Sequence, residues 1–304
     1  MNMLLSIAGF IIKVQSECVT DITFEEGYAP FFVPQAQDYS GKPDVVINAI
    51  EVIPKDLLIK DNLLFEAKNQ QSDFFSIYQQ GTSYKIIIYD QSQRDGLPLN
   101  INKVQQVALL NNELNEWKVY CNRDDDNKFN PLLYPFGPLV LYYLTVKSDA
   151  IMLHSSGVFD GVKGRIFTGF SGSGKTTMAY LWQKAKNKII NDDRLIIRRN
   201  PSLQGKKNTA FTMYNTPMYY VDIPKEAPLH SIYMIHHSAE NTINKLDGAI
   251  AVSRVMAHCI QHGYNNNFIQ HHIEFLSQLC NNISVYDVGF KPDSSIVDLI
   301  RING

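Results

Sequence analysis

The chain has 304 residues, of which 45% are hydrophobic and 19% charged, and 28 basic against 30 acidic residues leave a formal net charge of -2. That balance lacks the blanket attraction for phosphate backbones of a dedicated nucleic-acid binder. The longest apolar run, residues 139–146, falls far short of the ~20 residues that cross a bilayer. Neither nucleic acid nor membrane is an expected partner.

Cys18, Cys121, Cys259 and Cys280 form no C-x-x-C pair, which fits neither a disulfide framework nor a zinc site. The apolar start of the chain has no basic flank and no small-residue cleavage pattern, so the expected compartment is the cytoplasm. The length suggests two domains, with a single large one as the alternative.

Up to about Asn122 the apolar residues come in short runs rich in Val, Ile, Tyr and Phe, which predicts strands over residues 10–14, 45–52, 84–89 and 117–120. Turn signals at Tyr39-Ser-Gly-Lys-Pro43, Gln80-Gly81 and Arg94-Asp95-Gly96 separate them. A smaller β-rich domain is therefore expected over residues 1–130, with no assigned role. The polar run Asn122-Arg-Asp-Asp-Asp-Asn-Lys128 precedes Pro131, Pro135 and Pro138 and marks the expected boundary. Its aspartates lack the central glycine and closing glutamate of a calcium loop, so it reads as a solvated linker.

The second domain, 131–304, has a different texture. A helix is predicted to about Lys147, then strands over 150–159 and 165–169, a helix from Lys175 to about Lys186, and a short strand over 188–191. In the second helix Met178, Leu181, Trp182 and Ala185 follow i, i+3, i+4, i+7 spacing, so one face packs inward.

Residues 169–176, Gly-Phe-Ser-Gly-Ser-Gly-Lys-Thr, fit G-x-x-x-x-G-K-[ST] in full and sit between a predicted strand and a predicted helix, the context the motif requires. Glycines let the backbone wrap phosphate oxygens, successive N–H groups converge on them, and the helix start adds its positive dipole end. The expected nucleotide-binding set is Gly169, Ser171, Gly172, Ser173, Gly174, Lys175, Thr176 and Thr177. Lys175 reaches the β- and γ-phosphates, and the Thr176 hydroxyl ligates Mg²⁺.

Asp192 and Asp193 follow the short strand. If a right-handed crossover makes that strand parallel to 165–169, both strands open on one sheet edge and the aspartates face the phosphates. One can hold Mg²⁺ and the other can accept a proton from an attacking hydroxyl. Asp192, with Thr176, is taken as the metal pair and Asp193 as the base, with the reverse left open. The turn 160–164 centres near Val162, so antiparallel pairing sets His154 opposite position 170, beside the loop. There it either orients an aspartate or contacts a phosphate, or it is a satisfied core histidine.

His154, the loop ending at Lys175 and the Asp192-Asp193-Arg194 triplet resemble the catalytic half of the HPr kinase/phosphorylase family, which is related in fold to phosphoenolpyruvate carboxykinases. The likeness is specific over residues 153–194 and loose over 134–304. It implies an α/β fold, a P-loop domain with a mixed sheet preceded by the β-rich domain. It also implies ATP and Mg²⁺ as cofactors, and phosphate transfer to a hydroxyl of a protein serine, a peptide or a small molecule. Asp193, Asp192, His154 and Lys175 take the catalytic roles under this likeness. The family's Glu-x-Arg-Gly segment has no counterpart between residues 200 and 224, nor is its basic C-terminal loop found. More loosely, residues 227–235 and 290–298 resemble divergent homologues found beside peptide-modification genes.

Asn244-Lys-Leu-Asp247 matches the guanine-reading N-K-x-D, but no D-x-x-G separates it from the loop, and Asp247 is expected to open a helix over 248–262. No L-S-G-G-Q signature of an ABC-type ATPase is present. The pairs His236-His237 and His271-His272 read as ordinary surface or core residues, since neighbours on a strand face opposite ways. A hydroxyl kinase is thus the first expectation, and a nucleotide-responsive binding module with little or no catalysis the alternative. Homo-oligomerisation is left open.

Overall fold

The computed structural model describes residues 2–34, 39–60, 62–68, 73–90, 103–200, 211–218, 221 and 223–303; the Arg94-Asp95-Gly96 turn lies outside them. The chain is α/β, with two mixed sheets and few helices. It divides into two compact units, Met1–Leu144 with Met218–Asp222 and His262–Tyr264, and Thr145–Pro217 with Ile223–Gln261 and Asn265–Gly304.

The first unit carries β1 (Asn2–Ile7), β2 (Phe10–Gln15), β3 (Val45–Glu51), β4 (Leu63–Lys68), β5 (Asp73–Gln80), β6 (Ser83–Tyr89), β7 (Val104–Leu110) and β8 (Glu116–Cys121). They form one sheet in the order β1-β2-β3-β8-β7-β6-β5-β4. The period-two pattern is plain in β3, where Val45, Ile47 and Ala49 are buried and their neighbours less so. The helix α1 (Phe136–Thr145) sets Phe136 and Tyr143 edge-on against Trp117. The run 122–128 is solvated as expected, yet it belongs to this unit: Arg123 pairs with Asp21 at 2.7 Å and Glu51 at 2.9 Å, and Asp124 caps the turn by accepting from Lys128 N–H.

The second unit begins with β9 (Ala150–Phe159), β10 (Gly164–Thr168), α2 (Lys175–Lys184) and β11 (Lys188–Arg199). It continues with β12 (Phe211–Asn215), β13 (Glu226–His237), β14 (Thr242–Leu246), α3 (Gly248–Met256), α4 (Asn266–Asn282), β15 (Ser284–Phe290) and α5 (Ser295–Asn303). Its sheet runs β10-β9-β11-β12-β13-β15-β14, and β10 also pairs parallel with β13, so β10, β9, β11, β12 and β13 close on themselves. Adjacent residues feed opposite faces: Ile166 joins a core with Ala251 and Val255 of α3 and Phe275 and Leu279 of α4, whereas Phe167 joins one with Met178 and Trp182 of α2 and Ile296 and Ile300 of α5. Among the described residues no helix is long and apolar enough to cross a membrane.

The inward face expected of α2 is present. Met178 and Trp182 are fully buried, and Leu181 and Ala185 pack against the same cluster. The Trp182 ring also carries the guanidinium groups of Arg165 at 4.9 Å and Arg301 at 5.5 Å. Trp182→Ala is expected to lower stability by ~3–5 kcal/mol, the loss typical of a large buried aromatic. An unchanged midpoint in urea denaturation rules this out.

Three expectations are corrected. The strand predicted over 188–191 runs on to Arg199, because Leu195, Ile196 and Ile197 are fully buried and continue the pairing with β9. The helix expected over 248–262 stops at Met256, because residues 258–260 are drawn into bonds with β9. His271 and His272 lie in α4, not on a strand; His271 sits 2.8 Å from the Ser148 carbonyl, and burial pushes His272 down to about 4.

Candidate active site

The site begins with the β9–β10 hairpin. Asp160 and Lys163 flank a two-residue turn in which Gly161 has φ 95°, and Asp160 N–H donates to the Lys163 carbonyl at 3.3 Å. A two-residue turn puts its centre between Gly161 and Val162, not on Val162. Ser155 therefore pairs with Thr168, and His154 falls level with Gly169 instead of Phe170, one residue from the expected register. The Thr168 hydroxyl donates to the His154 carbonyl at 2.8 Å.

After Thr168 the chain turns through residues 169–174 into α2. A Cβ on Gly169 would stand 2.5 Å from the Ile235 carbonyl oxygen and 2.6 Å from Ser173 Oγ, so only glycine fits. Gly172 and Gly174 hold φ of 78° and 94°, a region costly for other residues. Ser173 N–H donates to the Phe170 carbonyl at 3.0 Å, and the buried Ser173 hydroxyl has no hydrogen-bond partner among the described residues. Ser171, Gly172 and Thr176 are exposed and Thr177 is half-buried at the helix start. Lys175 folds back over the loop, its Nζ donating to the carbonyls of Gly169 at 3.1 Å and Phe170 at 3.2 Å.

Gly174→Ala combines the left-handed φ with a Cβ only 2.5 Å from the Phe290 ring. The substitution is expected to destabilise by more than ~1 kcal/mol and to misplace Lys175. Thermal unfolding and nucleotide titration on one preparation check both effects; a variant as stable as the parent rules out the strain.

The aspartates arrive from β11, which runs in the same direction as β10 with β9 between them. Ser156 pairs with Phe167 on one side and Asp192 on the other, and Ser155 pairs with Thr168 and Asp193. Both acids therefore stand level with the end of β10, where the loop begins, although they lie inside their strand. A register shift between Ile189 and Asn191 precedes them. Buried Asn191 donates to the Arg194 carbonyl at 2.6 Å and to Thr216 Oγ1 at 3.3 Å, and the Thr216 hydroxyl donates to the same carbonyl at 3.0 Å. These two residues hold the triplet's backbone.

The two acids titrate in opposite directions. Burial raises the Asp192 carboxyl, helped by the charge of Asp193 and opposed by the nearby Thr176 hydroxyl and by Lys175 and His154. Burial also raises Asp193, but His154, with Nδ1 3.3 Å from Oδ1, and the charges of Arg194 and Lys175 outweigh it and hold the carboxyl below its usual range. Arg194 pairs directly with Asp193. Lys175 is lowered by burial and raised in part by both acids. Lys175, Thr176, Asp192, Asp193 and His154 therefore converge.

His258, which the sequence did not single out, joins them, and so does His237, which the sequence read as an ordinary surface or core residue. His237 Nε2 lies 3.0 Å from the Gly172 carbonyl and its ring packs against Phe290, whereas His236 lies 3.9 Å from Asp287. The His258 ring stands edge-on to Phe170 with centroids 4.9 Å apart. Neither is near the loop in sequence and neither falls in a motif, so only the pairing of distant segments reveals them. The segment 244–247 forms the end of β14 and the start of α3, with Asp247 at the helix N-cap.

No family model matches the chain, and no curated protein matches it. Among solved structures, the Hpr(Ser) kinase/phosphatase from Coxiella burnetii is similar over 50% of this chain and 97% of its own, with 11% identity and a TM-score of 0.25. At that score the superposition does not establish a shared fold, and the resemblance read from residues 153–194 has this weak structural neighbour beside it and no family-level match.

Proposed function

We propose that the chain binds ATP with Mg²⁺ at residues 169–177 and transfers the γ-phosphate to a hydroxyl of a protein, peptide or small molecule, in the manner of an HPr kinase. The observation that supports this most is the convergence of Lys175, the Thr176–Asp192 pair and the Asp193–His154 pair at the end of β10. The loop backbone and Lys175 hold the phosphates, and the unpartnered Ser173 hydroxyl is a polar group suited to a phosphate oxygen.

The donor set also suits the metal. Mg²⁺ at nucleotide sites takes one or two protein oxygens and fills the rest of its shell with phosphates and water. The Thr176 hydroxyl and the nearby Asp192 carboxylate supply such a pair. When bound, Mg²⁺ neutralises charge on the phosphate oxygens. Asp193 accepts the acceptor hydroxyl's proton at its carboxylate, while His154 orients that carboxylate through Nδ1 and Arg194 keeps it ionised.

Asp193 is already engaged by Arg194 and His154 and held below the usual carboxylate range, which makes it a weak base. That observation, with the absent Glu-x-Arg-Gly segment, favours the second reading, a nucleotide-responsive binding module. The experiment that separates them incubates the protein with γ-labelled ATP, Mg²⁺ and hydroxyl-bearing peptides, proteins and small molecules. Label in an acceptor supports the kinase; ATP binding with no label in any acceptor supports the module.

A further inference from the structure

Where the chain leaves β10 for the loop, residues 258–260 take the edge of β9 that β10 gives up. Leu153 bridges Cys259, His154 N–H donates to the His258 carbonyl at 3.1 Å, and Ile260 N–H donates to the Met152 carbonyl at 2.8 Å. The His258 imidazole is thereby fixed at the lip of the loop, against the Phe170 ring, which is 71% exposed. The site then has acids on the β11 side and this imidazole on the other, with His154 between.

The groups acting on the His258 ring are Lys175 at the start of α2, His154 on β9 and Arg254 on α3, all bases. Asp192 and Asp193 lie on β11, across β9 from residues 258–260, and interact with His154 and Lys175. Burial lowers the His258 pKa first and the three bases lower it further, which favours the uncharged ring. An uncharged imidazole among bases gains a proton when anionic charge enters beside it.

We propose that His258 is a further ligand-contacting residue of this site, an imidazole that takes one proton from solvent when the triphosphate arrives and then donates a charged hydrogen bond to it. The inference rests on the nucleotide reading above. Its proton balance is simple, since imidazole plus a solvent proton gives imidazolium and no bond in the nucleotide breaks.

The test is calorimetry of the full chain with Mg²⁺ and ATP near neutral pH, in buffers of different ionisation enthalpy, for the parent and His258→Gln. The parent is expected to take up more protons per nucleotide than the variant, by up to about one. Its affinity is expected to be about tenfold higher near pH 6.5, as for one lost charged hydrogen bond, and the gap is expected to close by about pH 8.5. Equal proton counts with normal ATP binding overturn this inference alone, whereas no ATP binding by the parent overturns the nucleotide reading. A second measurement needs no variant: if no histidine resonance of the parent gains charge at neutral pH on ATP addition, the proposal fails.

Discussion

Asp193→Asn is expected to leave ATP bound and to slow phosphate transfer by ~10² or more, the usual size of a general-base contribution. Asparagine keeps the size of the side chain and a hydrogen bond to His154, but it cannot accept a proton from a hydroxyl. Nucleotide affinity is expected to change little because the proposed binding donors lie in residues 169–177. Single-turnover transfer of labelled phosphate separates the chemical step from binding. Equal rates for variant and parent exclude the base role.

The same assay assigns the two acids. Asp192, pushed up by burial, is the stronger base of the pair until a cation arrives, but its place beside the Thr176 hydroxyl fits the metal role. Asp192→Asn is therefore expected to weaken Mg²⁺-dependent binding. Binding lost in the Asp193 variant and kept in the Asp192 variant reverses the assignment.

Lys175→Ala is expected to lower ATP affinity by ~10- to 100-fold, equivalent to one charged hydrogen bond of ~1.5–3 kcal/mol. The ammonium already sits over the loop, bonded to the carbonyls of Gly169 and Phe170, and within the field of both acids. Phosphate oxygens offer it stronger partners than neutral carbonyls. Its removal also leaves Asp192 and Asp193 with less opposing charge as an anionic ligand approaches. Calorimetric titration reads the loss directly, and unchanged binding rejects the site.

Much of the second unit is legible along the chain because its signals are local. The strand Ala150–Phe159 opens on the apolar run Ala150–Leu153, α2 shows a helical apolar face, and the loop between β10 and α2 needs glycine at positions where backbone approach or positive φ excludes other residues. The charged triplet 192–194 misleads for the same reason. Three polar residues look like a strand end, yet the buried residues after them carry β11 on.

What the amino-acid order determined alone is the glycine-rich G-x-x-x-x-G-K-T motif, its strand–turn–helix setting and the acids close after it, since these depend on backbone freedom and side-chain periodicity over a few residues. Only the tertiary structure decided that β9 lies between β10 and β11 and that His237 and His258 reach the loop. Those contacts join segments tens of residues apart. They follow from which strand edges remain to be paired, a condition of the assembled sheet and not of any stretch of sequence.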